Sequence, residues 1–182
     1  MLPKRLPHIP MRARSIPGLH SNDSLQFMVY CCRKYAPNHG DVVNLGVLFG
    51  RSTALLCYAF PTRKVFGIDV WRNKRFGMKK CRFKGKTFNT EDGEALARAN
   101  IQKRGYEPII LTHDSRTPPE EIGSVAVLFI DTCHRPNFLQ AEYNGWLPKL
   151  FSGSLVMLHD YKASGCPKYS VKIEKLFINS AA

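Results

Sequence analysis

The sequence predicts a doubly wound α/β fold: a mostly parallel sheet between two layers of helices. Three observations carry that expectation. Short apolar runs ending in Gly, Asp or His alternate with segments of helical periodicity from Asp41 to Asp160. Val125–Ile130 is apolar without interruption, as a strand covered on both faces should be. Polar and acidic residues recur just after each run. Right-handed crossovers collect the C-terminal ends of parallel strands on one edge, and ligands bind there.

Ser24–Tyr35 reads as a helix ahead of the sheet. Asp41–Gly46 (DVVNLG) is the first strand, and Arg51–Phe60 is the helix behind it, stopped by Pro61. Lys64–Asp69 (KVFGID) is the second strand. Thr90–Arg104 is a helix with Thr90 as its cap, Glu91, Asp92 and Glu94 at its positive end, and Gly105 beyond it. Glu107–Thr112 and Ser124–Asp131 are the third and fourth strands. In Pro136–Leu150, Phe138, Leu139, Tyr143, Trp146 and Leu147 fall at helical spacing. Ser152 and Gly153 turn the chain into a fifth strand, Ser154–Asp160, and a last helix is expected over Tyr169–Ile178.

A chain of 182 residues suits one domain. Residues 1–22 hold Lys4, Arg5, Arg12 and Arg14, no acid, and Pro3, Pro7, Pro10 and Pro17. They are expected as a basic, partly extended arm before a domain over residues 23–182. The same composition suits a mitochondrial leader, but the prolines break the amphipathic helix such a leader needs. A hydrophobic fraction of 44% with 11% aromatics excludes a disordered chain. No apolar run approaches the ~20 residues of a membrane span. Six cysteines without a CxxC pair point to reduced thiols in a cytoplasmic setting, and the paired spacing of a structural zinc site is missing.

Lys and Arg number 27 against 14 Asp and Glu, a net charge of +13. Much of that excess falls between Asp69 and Glu91, where there is no acid. Arg72, Lys74, Arg75, Lys79, Lys80, Arg82, Lys84 and Lys86 interleave there with Trp71, Phe76, Phe83 and Phe88. Basic groups neutralise phosphates and aromatics stack on bases. The Arg72–Lys86 stretch is therefore a candidate surface for an anionic acceptor or a nucleic acid. No recognition module accompanies it, so nonspecific attraction to polyanions is the safer expectation.

Asn44-Leu45-Gly46-Val47-Leu48-Phe49-Gly50-Arg51-Ser52 spans the first strand–helix turn, where a nucleotide cofactor binds in such folds. Gly46 permits the sharp turn, and Gly50 lets the helix start come close to a ligand or the sheet. The amides up to Ser52 favour an anionic group. Asp69 ends the second strand, placed to accept both ribose hydroxyls. The glycines read GxxxG, not the dinucleotide GxGxxG, and no GKS or GKT follows, which excludes a P-loop. A cofactor with a carboxylate and a ribose but no pyrophosphate fits better, as in S-adenosylmethionine. The plainer alternative is a tight turn shaped by two glycines.

VVNLGVLFGRSTALL, VFGIDVW and LFIDTCHRPNFLQAEYNGWLPKLFSGSLVMLHDY together resemble class I S-adenosylmethionine-dependent methyltransferases, in particular the group containing macrolide-sugar O-methyltransferases and cephalosporin-hydroxylase-like proteins. The resemblance runs from about Val42 to Tyr161 and implies a Rossmann-like three-layer α/β/α domain. It implies that Gly46 and the loop to Ser52 hold the methionine part, that Asp69 binds ribose with Val70 and Trp71 near the adenine, and that Asp114 and Ser115 contact adenine. It implies a divalent metal such as Mg²⁺ at Asp131 and Asp160. Asn44 stands where the family commonly has an acid, and Cys133 stands where it has a second one. Many members carry two further C-terminal strands, so the sheet is expected to lack that hairpin or to be completed by a partner chain, as in a homo-oligomer.

Methyl transfer from a sulfonium is an in-line displacement, so alignment in a dry pocket carries much of the rate. A hydroxyl acceptor must also lose its proton or have its oxygen polarised. A metal at Asp131 and Asp160 would serve, or His134 or His159 as a general base. Asp131 as a helix cap and His159 as a core histidine are the structural alternatives. Three functions follow: O-methylation of a small or sugar-like acceptor, methylation of or association with RNA, and a degenerate, non-catalytic binding module.

Overall fold

The computed structural model describes residues 6–18, 20–71, 80–83, 86–89, 92–133, 135–159 and 171–175. Its main sheet has six strands in the order β5-β2-β1-β6-β7-β8. They are β1 (Asp41–Leu45), β2 (Val65–Asp69), β5 (Ile109–Thr112), β6 (Val125–Ile130), β7 (Leu150–His159) and β8 (Val171–Lys175). The first five run parallel, and β8 lies antiparallel on β7, pairing His159 with Val171 and Leu155 with Lys175. Strand order reverses between β1 and β6, so the crevice where such sheets bind ligands opens above Leu45 and Ile130.

Alternation along the strands sends side chains into two cores. Val42, Phe129 and Met157 pack with Leu25, Met28, Leu55, Leu56, Ala97 and Ile101. These last come from α2 (Asn22–Tyr35), α3 (Arg51–Ala59) and α4 (Gly93–Gln102). Val43, Leu45, Ile68, Leu128 and Ile130 pack with Trp146 of α5 (Pro136–Trp146) on the other face. Ser21 caps α2 by accepting the Ser24 amide at 3.1 Å. Pro136 opens α5 at a position that needs no N–H donor.

Several boundaries differ from the sequence reading. The expected helix over Tyr169–Ile178 is the strand β8, so the sheet has an antiparallel edge. Val171 and Ile173 alternate with Lys172 and Glu174 there, which is strand periodicity. Helix α5 stops at Trp146, a 3₁₀ turn fills Leu147–Lys149, and β7 starts at Leu150, earlier than the expected Ser154. Within the basic stretch, β3 (Lys80–Phe83) and β4 (Lys86–Asn89) form a separate antiparallel pair, while residues 72–79, 84 and 85 lie outside the described residues.

The segment expected as a separate basic arm packs onto the domain. Ile9, Ala13 and Ile16 are buried in the same core as α2 and α3, and a short helix α1 (Met11–Arg14) lies against α3. Arg51, the first residue of α3, is almost fully buried beneath this segment. Its guanidinium donates to the carbonyls of Ile16 (2.6 Å), His20 (2.9 Å) and Arg14 (3.1 Å). Burial and the nearby Arg14 charge lower its pKa from the usual value.

Candidate functional site at the carboxyl edge of the sheet

The β1–α3 loop is the first part of the site. Gly46 and Gly50 have φ of 88° and 93°, in the region that favours glycine. A Cβ on Gly46 would lie 2.0 Å from the Asp131 carbonyl oxygen, so the loop and the end of β6 touch through backbone. Leu48 also has a positive φ, 51°, a conformation that costs a side-chain-bearing residue on the order of 1–2 kcal/mol. Asp69 holds it there. Its Oδ2 accepts the amides of Val47 and Leu48, each at 2.9 Å, and its Oδ1 accepts those of Val70 (2.7 Å) and Trp71 (3.2 Å). Burial outweighs these bonds and raises the carboxyl pKa above its usual range.

Asn44, at the end of β1, is fully buried. Its Nδ2 lies 2.7 Å from Thr53 Oγ1, 3.1 Å from Ser52 Oγ and 3.2 Å from the Gly46 carbonyl, so one amide ties strand, loop and helix together. Its Oδ1 is buried with no hydrogen-bond partner among the described residues. An unmatched buried acceptor is unfavourable unless a ligand donor meets it.

Trp71 lies across Gly93, where a Cβ would come within 2.4 Å of the indole, and its Nε1 donates to the Leu48 carbonyl at 3.0 Å. Asp114 forms a two-oxygen pair with Arg116, Nε donating to Oδ1 and the terminal nitrogen to Oδ2, which pulls its carboxyl down to about 2. Ser115 donates at 2.5 Å to Glu142, a fully buried carboxylate on α5. Thr132, just after β6, lies 2.7 Å from both Glu142 oxygens, and Trp146 Nε1 donates to the Ser115 carbonyl at 2.7 Å. Burial pushes Glu142 up to about 7, against the lowering effect of the two hydroxyls. Glu142 thus joins the loops after β5 and β6, a role absent from the sequence reading of α5.

Asp131, one residue past β6, lies between two imidazoles. His20 Nε2 is 2.9 Å from its Oδ2, and His159 Nδ1 is 2.9 Å from its Oδ1. The rings of His20 and His159 meet edge to face with centroids 4.4 Å apart. Burial raises the Asp131 pKa, but the two histidines outweigh it and hold the carboxyl well below its usual range. His159 was expected as a base or a core histidine. His20 was not expected at all, because nothing in the spacing links the segment before α2 to the ends of β6 and β7.

His134 and Asp160 lie outside the described residues. The structure therefore brings Asn44, Gly46, Gly50, Ser52, Asp69 and Trp71 together around one loop, and Asp131 beside that loop. Asp114 and Ser115 sit at the end of β5, turned toward Arg116 and Glu142. A cavity of about 500 Å³ opens on this edge, lined by Arg116, Arg135, Pro136, Asn137, Phe138 and Ala141. Cys31, Cys32, Cys57 and Cys133 are free thiols. No described helix is long and apolar enough to cross a membrane.

A family model described as a methyltransferase domain matches residues 43–161. Among solved structures, CalS11, a TDP-rhamnose 3'-O-methyltransferase of calicheamicin biosynthesis, is 14% identical with a TM-score of 0.51, over 76% of this chain and 62% of that one. A candidate caffeoyl-CoA O-methyltransferase from Staphylococcus aureus is 16% identical with a TM-score of 0.58, over 79% and 60%. An S-adenosylmethionine-dependent methyltransferase from Clostridium acetobutylicum is 12% identical with a TM-score of 0.54, over 77% and 50%. At these identities the likeness is one of fold, and the chain spans about three fifths of the first two proteins. No curated protein matches the chain.

Proposed function

From a chain that belongs to the methyltransferase-domain family, we infer an S-adenosylmethionine-dependent methyltransferase that acts on an oxygen of a small-molecule acceptor. The observation that carries this reading is the buried Oδ1 of Asn44 beside the glycine loop, which has no partner among the described residues. The methionine ammonium is a donor that would complete it. The amides from Gly46 to Ser52 suit the carboxylate. Asp69 suits the ribose, although a ribose diol competes there with the Val47 and Leu48 amides for Oδ2. The cofactor supplies an electrophilic methyl group on sulfur.

The chain's own residues must align the acceptor and take charge of its hydroxyl proton. Asp131 with the imidazoles of His20 and His159 is the described group at the sheet edge suited to that task. Arg135 lines the neighbouring cavity beside an Arg116 already paired with Asp114, and the net charge of +13 supports an acceptor with an anionic part. Magnesium prefers an oxygen cage, whereas Asp131 faces two ring nitrogens, so the described donors do not fit it. Six cysteines without a CxxC pair support a cytoplasmic setting.

A second reading is favoured by one observation: Asp69 already has an amide on each of about four lone-pair sites. That suits a non-catalytic module that has kept the fold and closed the ribose site. Calorimetric titration with S-adenosylmethionine decides between them. The methyltransferase reading expects binding that weakens on the order of 10-fold or more in Asp69→Ala. No heat at millimolar cofactor would overturn it.

A further inference from the structure

We propose that His20, Asp131 and His159 form a binding site for a divalent transition-metal ion of the zinc or cobalt class. The site does not depend on the methyl-transfer reading. Three donors from separate parts of the chain converge: one from the segment before α2, one from the end of β6 and one from the end of β7. Their ligand atoms all lie within 4.8 Å of one another. The two nitrogens stand 2.9 Å from different oxygens of one carboxylate. Ligands about 2.1 Å from a common tetrahedral ion are about 3.4 Å apart, so the donors need separate by only about half an ångström to share one ion.

His20 provides the independent observation. Its side chain is 8% exposed, and neither ring nitrogen has a hydrogen-bond partner among the described residues. Nε2 is at ion-pair distance from Asp131, but its direction misses the carboxylate for a hydrogen bond. A buried imidazole in that condition is unfavourable unless its lone pair is used. A cation between His20, His159 and Asp131 uses it.

The surroundings hold the donors in place. Arg51 grips the His20 carbonyl at 2.9 Å, and the Asp131 amide donates to Leu45 at 2.9 Å. The Phe129 ring lies 6.1 Å from His20 and 6.3 Å from His159, giving an apolar floor. Two imidazoles and one carboxylate select zinc, cobalt and their neighbours over magnesium or calcium. Three protein ligands also leave a coordination position for water or an acceptor oxygen, as in catalytic zinc sites and unlike closed structural ones.

The test uses the full chain, stripped with chelator and free of S-adenosylmethionine, so it is separate from any failure of the cofactor titration. Co²⁺ is titrated while visible absorption is followed, with Zn²⁺ and Mg²⁺ as competitors. The expected result is saturable d–d absorption without a thiolate charge-transfer band, displaced by Zn²⁺ and not by Mg²⁺. Affinity should fall on the order of 100-fold in His20→Ala. No saturable binding, a thiolate band, displacement by equal Mg²⁺ or unchanged affinity in His20→Ala would each overturn the proposal. X-ray absorption of the zinc-loaded wild type needs no variant: scattering from two imidazoles supports the site, and a sulfur or oxygen-only shell refutes it.

Discussion

Replacing Glu142 by Gln tests how burial sets the chemistry of this edge. Glu142 is fully buried on α5, with Ser115 Oγ at 2.5 Å and Thr132 Oγ1 at 2.7 Å. Its pKa rises from 4.5 to about 7 in the fold. At ~1.4 kcal/mol per pH unit, ionising it destabilises the folded chain by about 3 kcal/mol relative to the unfolded one. Because the folded pKa is the higher, the stability gained by keeping this carboxyl neutral is fully present below pH 4.5, declines as pH rises and is gone above about 7. Gln keeps an acceptor oxygen for the hydroxyls but does not titrate. The assay is urea unfolding of both proteins at intervals from pH 4 to 8. The opposite contribution from Asp131, present at high pH and lost on acidification because its folded pKa is depressed, is common to both proteins and cancels. Glu142→Gln should gain about 3 kcal/mol relative to wild type as pH rises from below 4.5 to above 7. Parallel stability curves would refute the argument that desolvation governs this carboxylate.

Two other predictions concern different parts of the fold. Arg51→Ala leaves the carbonyls of Arg14, Ile16 and His20 without their shared donor; chemical unfolding should show a loss of about 3 kcal/mol or more, with faster proteolysis before α2. Cys31 and Cys57 are pushed up to about 12 by burial, and Cys32 is also raised. At pH 8 only roughly one in ten thousand of the Cys31 and Cys57 groups is thiolate, so mass-spectrometric mapping of brief alkylation should find all three unmodified in the native state and modified in urea.

The sheet was legible because its parallel strands are buried and their ends are chemically marked. Val125–Ile130 has the length and unbroken apolar character of a covered strand, and Asp69 and Asp131 stand at the edge, just at or after the strand ends. The last strand was misread as a helix although Val171 and Ile173 alternate with charged residues; a strand of only five residues gives a weak periodic signal. Helix α5 was identified from its aromatic spacing, yet its buried residues are Glu142 and Trp146. That acid is buried because Ser115 and Thr132 meet it from other loops, and one-dimensional spacing carries no record of them. The same holds for His20.

The docking of that segment also has a kinetic side. Residues 9–20 are synthesised before every strand of the sheet, yet Asp131 and His159, which receive His20, lie in the second half of the chain. Closing such distant contacts is entropically slow. Ile9 and Ile16 pack with the nearby α2 and α3, whereas His20 waits until β6 and β7 have formed. Seating of His20 should be among the last events of folding, so a nascent chain halted before β7 presents an unseated histidine at an otherwise docked segment.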